Sequence, residues 1–292
     1  MIPPRYDAPR TGIEIMPYHR RYRQDLRELL YRSYRSHVHL DWHDTDAWLD
    51  TGKSTVLLAW EGRRLVGAIA ASEPVDGDCW IRIATIVDDA PPMPIMNALW
   101  SILKLDLRAL QVERVAILML REWLSEIFGA LGFAEQEWIV TLRRESLESP
   151  SEPPPPNLTI RASESADIEA ITAIDHQAFD ALWRMTLTDI RQAMRGAASS
   201  TVALIQGVIV GYQISTVYFD GSHLARLAVN PNVQANGIGG ALVGDVLRRF
   251  TRRGVPAMTV NTQLSNERSQ RLYRRLGFQR TGYDLAVWSI RL

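Results

Sequence analysis

Residues 146–157 read SLESPSEPPPPN, and the chain spells the same succession of elements on either side of them. Four consecutive prolines favour an extended, stiff spacer and exclude helix. A pattern repeated once at a period of about 145 residues is too long for a solenoid, so the reading is two domains in tandem. We place the first over residues 1–147, the spacer over 148–157 and the second over 158–292.

Each copy reads β-α-α-β-β-β-α-β-α-β. In the second copy, strands are predicted over 158–163, 201–206, 208–219, 223–229, 257–262 and 283–292. Helices are predicted from 165 or 167 to about 178, then over 186–195, 238–254 and 266–277. In the first copy, strands over 13–17, 54–60, 64–72, 80–87, 114–120 and 137–144 are joined with helices over 25–35, 96–110 and 122–132. Such an order implies an α/β layout around a central sheet in each domain.

The two copies differ most at one turn. The second has NPNVQANGIGGA (230–241) between a strand and a helix. A helix start leaves main-chain N–H groups unpaired, and with the helix dipole these suit an anion. Gly237, Gly239 and Gly240 remove side chains that would hold phosphate oxygens away. The first copy has DDAPPMPIMNAL (88–99) there. Asp88 and Asp89 would repel a pyrophosphate, and prolines at 91, 92 and 94 lack N–H donors.

Around the glycines, Val229-x4-Gln234-x2-Gly237-x-Gly239 resembles the acyl-CoA loop of the GNAT superfamily of N-acyltransferases. Asn266-x2-Ser269-x2-Leu272-Tyr273-x2-Leu276-Gly277-Phe278, about thirty residues on, resembles that family's second signature. The resemblance covers 158–292. It implies two tandem GNAT-like domains, each a mixed, mostly antiparallel sheet flanked by helices, the first degenerate and the second catalytic. In the first, GALGF (129–133) matches the end of the second signature, but Ile127 or Phe128 stands where the tyrosine belongs.

The resemblance also implies roles. Leu227, Ala228 and Val229 would offer main-chain groups to the pantetheine arm and the thioester carbonyl. Gln234, Ala235, Asn236, Gly237, Ile238, Gly239 and Gly240 would wrap the pyrophosphate. Asn266 would contact the pantetheine, and Tyr273 would protonate the departing thiolate, as suits a group near pKa 10. The expected co-substrate is acetyl-CoA, with no metal, and the expected reaction is direct attack by an acceptor amine, of a small molecule or a protein N-terminus. In relatives that acetylate protein N-termini a glutamate precedes the second signature. Here Asn261 stands there, so the candidate bases are His223 and Asp220, directly or through water. Phe179 and Trp183 would wall the acceptor site or belong to the core. A CoA-binding sensor or scaffold without turnover is the alternative function.

HVHLDWHDTD (37–46) offers metal-ligand types without a helix to fix their geometry; it reads as acceptor recognition or a solvated loop before a metal site. The cluster Arg248, Arg249, Arg252 and Arg253 reads as a solvated helix end before a phosphate contact. A single cysteine, Cys79, excludes an internal disulfide. Zero formal net charge gives no argument for nucleic acid or a membrane surface. With no long apolar run and no apolar leader, the expectation is a cytoplasmic monomer or homodimer.

Overall fold

A computed structural model describes residues 6–7, 12–146, 148, 154–255 and 257–292. Half of the spacer expected over 148–157, residues 149–153, therefore lies outside the described residues. The chain forms two compact units, and their division does not follow the spacer: one is 1–136 with 286–292, the other the continuous stretch 137–285.

The first unit contains β1 (Tyr6–Asp7), β2 (Ile13–Pro17), α1 (Arg23–Arg32), β3 (Ser36–Val38), α2 (Thr45–Leu49), β4 (Thr55–Glu61), β5 (Arg64–Ala71), β6 (Asp78–Ile86), α3 (Pro92–Ala109), β7 (Arg114–Leu118), α4 (Glu122–Ala130) and the start of β8 (Ala134–Glu145). Its sheet runs β1-β2-β4-β5-β6-β7. The next strand comes from the far end of the chain, where Val287–Arg291 pairs antiparallel with Leu118–Arg114. Trp288 packs against Gly129, and Ile290 against Gly132. The helix predicted from 96 begins four residues earlier. Pro92 stands in its first turn, where a missing N–H costs nothing.

The second unit contains β9 (Leu158–Ala162), α5 (Ile168–Ala178), α6 (Leu187–Gly196), β10 (Ser199–Ile205), β11 (Val208–Tyr218), β12 (Gly221–Val229), α7 (Ile238–Arg252), β13 (Ala257–Gln263), α8 (Glu267–Arg275) and the start of β14 (Gln279–Arg291). Its strand order is β9-β10-β11-β12-β13-β8. All pairs are antiparallel except β12 with β13. The 137–145 segment of β8, expected to close the first domain, pairs instead along all of β13. Each unit thus takes its closing strand from the other half of the sequence, and the division falls inside β8 and β14 rather than at the prolines. Alternation alone shows that a strand has one apolar face; it carries no information about which sheet receives it.

Behind the second sheet, Val243, Val246, Leu247 and Phe250 of α7 and Tyr273 and Leu276 of α8 pack on Leu224, Met258, Val260, Val140 and Leu142. This layer puts the start of α7 and the body of α8 beside the β12–β13 boundary.

Candidate functional site

The boundary between β12 and β13 opens into a slot. Only Ser222–Leu224 pairs with Met258–Val260. Past that point β12 continues to Val229 and β13 to Gln263 without pairing each other. A β-bulge lies where they part: Ile214 faces Arg226 and Ser215 faces Leu224, leaving Ala225 as the extra residue. Bulges bend a strand and increase its twist, which separates the two edges. Along β11 the bonded positions alternate. Asn230 N–H donates to Val210 C=O at 2.8 Å, which makes Ala228 the next bonded residue. Leu227 and Val229 therefore direct their main-chain groups into the slot. The Val229 carbonyl is already engaged, accepting from Gln234 Nε2 at 2.8 Å.

At the mouth of the slot the 230–240 turn forms a cup of donors. Ala235 has φ 68° and Gly237 φ 76°, both left-handed. Alternating handedness makes successive N–H groups converge, an arrangement that binds anions. Ala241 N–H is the first in α7 to find an intrahelical acceptor, Gly237 C=O at 2.9 Å. No main-chain N–H from Ala235 to Gly240 has an acceptor among the described residues. Ala235, Asn236 and Gly237 are exposed. Gly239 lies close enough to Leu272 of α8 that a Cβ would come within 3.3 Å. Gln234 works as a clamp: its amide nitrogen holds Val229, and its Oε1 accepts from Arg268 Nη1. Arg268, which the motif reading passed over, thus brings a cation to the cup from the first turn of α8. The Arg248–Arg253 cluster sits at the opposite end of α7, about 22 Å away for fifteen residues.

On α8 the signature residues divide their work. Asn266 caps the helix, its Oδ1 accepting from Ser269 N–H at 3.0 Å. Its oxygen is therefore spent on α8 itself. Gln270 is buried and donates to Gln263 and Leu264 carbonyls, holding the turn before the helix. Tyr273 is 4% exposed, and its ring lies tilted against Phe278 with centroids 5.7 Å apart. Burial raises its pKa, so it keeps its proton. Its hydroxyl has no hydrogen-bond partner among the described residues. Leu227 packs against the cluster that contains Tyr273.

The candidate bases separate. Leu224 and Leu227 both pack toward the α7–α8 layer, so the bulge places His223 and Arg226 together on the opposite face, toward α5. His223 Nδ1 lies 2.8 Å from Thr259 Oγ1, which itself donates to Ser222 C=O at 3.3 Å. That chain makes Nδ1 the donor to Thr259. Asp220 is exposed in the turn before β12, about 23 Å from Leu227 along the strand. It is a turn former, and the geometry removes it from the slot. Asn261 is exposed and accepts from Thr141 Oγ1 at 3.0 Å.

An anion cup and an opened pair of parallel strands, with a proton-holding tyrosine in the layer that Leu227 packs against, together suit a phosphate-bearing thioester. Residues 168–278 match the acetyltransferase (GNAT) family. The second unit carries a GNAT acetyltransferase domain.

Among relatives of this GNAT domain is the mycothiol acetyltransferase of Brachybacterium faecium, 30% identical over 174 residues, 53% of each chain. Another is the alanine N-acetyltransferase of ribosomal protein bS18 from Escherichia coli, 29% identical over 121 residues, 41% of this chain and 80% of that one. The chain spans about half the length of the mycothiol acetyltransferases it matches. In fold it is similar to a tandem GNAT protein from the clavulanic acid biosynthesis pathway. The TM-score is 0.65 at 13% identity, over 96% of this chain and 98% of the other.

The corresponding slot of the first unit is filled by its own chain. β6 and β7 also part early, pairing only over Asp78–Trp80 and Arg114–Ala116. Beyond this, Ser36–Val38 pairs antiparallel with Ile83–Thr85. β5 holds the other edge of β6, so β3 lies on the edge that β12 leaves open. Asp88 fixes this insert: its carboxylate accepts from Tyr34 N–H at 2.9 Å and Arg35 N–H at 3.3 Å. Asp89 pairs with Arg64 at 2.7 Å. The segment read from sequence as a loop is therefore a strand followed by a short helix. Within it His37 is buried, and burial, with the charge of His39 nearby, lowers its pKa to about 3. His39 faces Asp41 at 3.0 Å, and Arg82 also reaches Asp41, at 3.1 Å. Among the described residues no group of three or more His, Cys, Asp or Glu is placed to hold a metal ion, and no helix is long and apolar enough to cross a membrane. Burial pushes the Cys79 thiol up to about 12.

Proposed function

We propose that the second unit transfers an acetyl group from acetyl-CoA to a primary amine by direct attack. The observation that carries this is the unpaired edge of β12 running into a cup of free N–H donors. The Ala235–Gly240 donors and Arg268 take the diphosphate, and the Leu227 and Val229 main chain holds the pantetheine amide and polarises the thioester carbonyl. Tyr273 gives its proton to the leaving thiolate from the α8 side. On the α5 side the amine enters past Phe179 and Trp183 and loses its proton through water to His223. His223 is the only histidine, aspartate or glutamate on β12 or β13. Cys79, buried and protonated in the other unit, takes no part.

A second reading is a protein that binds CoA without turning it over. One observation favours it: neither β12 nor β13 carries a carboxylate. Incubation with acetyl-CoA and a panel of amines separates the two. Release of free thiol that depends on the amine supports transfer, and tight acetyl-CoA binding with no thiol release across the panel supports the sensor. Tyr273→Phe should lower turnover at least about tenfold with acetyl-CoA affinity retained. Unchanged turnover would remove Tyr273 from its role.

A further inference from the structure

Arg226 stands on β12 next to Leu227, and consecutive strand residues point to opposite faces. Leu227 packs toward Tyr273; Arg226 points toward α5, the face from which an acceptor enters. Its side chain is 14% exposed and held on three sides. Nε donates to Asp175 Oδ2 at 2.8 Å, and Nη2 donates to Trp183 C=O and faces the same carboxylate, each at 2.6 Å. The guanidinium carbon lies 3.7 Å from the centre of the Phe179 ring. Asp175 is fully buried and also accepts from Met185 N–H at 2.9 Å and from the Tyr212 hydroxyl. Two of the three guanidinium nitrogens are thus fixed. The guanidinium also lies within reach of the Tyr212 hydroxyl; no hydrogen-bond acceptor for Nη1 is found among the described residues, and the side chain keeps 14% of its surface exposed.

The setting determines what Nη1 can recognise. The charge of Arg226 is matched at contact distance by Asp175, so the site offers donors rather than net positive charge. A neutral carbonyl gains a hydrogen bond there at little desolvation cost. A free carboxylate must leave water for a site whose charge is already balanced. Phe179 and Asp175 fix the guanidinium before any ligand arrives, so little side-chain entropy is lost on binding.

We propose that Arg226 determines acceptor specificity, its Nη1 donating to a carbonyl oxygen on the carbon beside the amine-bearing carbon, so that α-amino amides are acetylated in preference to alkylamines and free amino acids. This rests on the acetyl-transfer reading above and adds the acceptor class to it.

The test compares kcat/KM for glycinamide, glycine and n-propylamine in the full chain. Glycinamide should exceed both others, and a hydrogen bond from a charged donor gives a factor of roughly 10–100. Because the glycinamide amine is also the more acidic, the deciding measurement is the change in these ratios on mutation. Arg226→Met combined with Asp175→Asn removes the donor without leaving a buried charge unpaired. It should lower the glycinamide preference at least about tenfold, mainly through KM, with acetyl-CoA affinity held. A preference unchanged in a variant that still binds acetyl-CoA overturns the assignment. Should the double variant lose acetyl-CoA binding, Phe179→Leu decides. It keeps the ion pair but frees the guanidinium, and it should reduce the preference about threefold; no reduction overturns the assignment. Equal acetylation of all three amines by the wild type refutes the role of Arg226 alone, whereas acetyl-CoA binding with no amine acetylated refutes it together with the transferase reading.

Discussion

Gly237 is where the anion cup can be broken most directly. At φ 76° any L side chain is strained, and a Cβ would stand 3.3 Å from Pro155 Cγ. Forcing alanine into the left-handed region costs about 1–2 kcal/mol. If the turn relaxes to avoid that cost, the convergent N–H groups disperse and the cost appears in binding. At about 1.4 kcal/mol per decade, Gly237→Ala should weaken CoA roughly 5–30-fold. Gly237→Glu adds a carboxylate beside the diphosphate. Each charge pair at about 4 Å adds about 1 kcal/mol of repulsion in water and about 4 at an effective dielectric of 20. The loss then exceeds about 100-fold. Titration calorimetry with CoA reads both variants. Gly254→Ala is the control: φ is 73°, nothing lies within 4 Å of its Cβ position, and it sits past the far end of α7. It should lower the melting temperature while leaving CoA affinity as in the wild type. Native affinity in Gly237→Glu, or an equal loss in Gly254→Ala, would refute the cup.

Three further outcomes follow from the first unit. Because Ser36–Val38 occupies its slot, calorimetry or native mass spectrometry should count one CoA per chain; a second site of similar affinity would contradict the filled slot. Because His37 titrates near 3 in the fold and near 6.5 when unfolded, the unfolded chain binds more protons between those values. Its contribution is therefore complete above about pH 6.5 and falls as the pH drops, by up to about 1.4 kcal/mol per unit. Denaturant melts should show wild type losing stability relative to His37→Phe between pH 6 and pH 4, and parallel curves would refute the assignment. Cys79, raised to about 12, should resist alkylation by iodoacetamide at pH 8 until the protein is unfolded.

Much of the second unit was legible in the sequence because the turn has local causes. Glycines at a strand–helix junction are needed where Cβ atoms have no room, and Tyr273 follows Asn266 at helical spacing. Other parts depend on pairing that a linear pattern does not encode. Ser36–Val38 is too short to show a period, and its edge of β6 is defined only once β5 has taken the other. The bulge at Ala225 appears as a register shift, which no residue type announces. The Asp175–Arg226 pair left a trace that could have been followed. Asp175 interrupts the apolar stripe of Ile168, Ile171 and Ile174 on α5, and an acid at a buried position needs a partner. Asn266 shows the reverse limit: the signature gives its position before α8, but whether its oxygen meets a ligand or caps the helix is a matter of side-chain geometry.

The origin of the strand carrying Val287–Arg291 bears on synthesis as well as on architecture. Those residues emerge from the ribosome about 150 positions after Gln136, on the order of ten seconds later at ordinary elongation rates. Until then the nascent first unit has β7 as an uncovered border, with Gly129 and Gly132 waiting for Trp288 and Ile290. The unit that is translated first thus waits on the last residues of β14 before its sheet is complete.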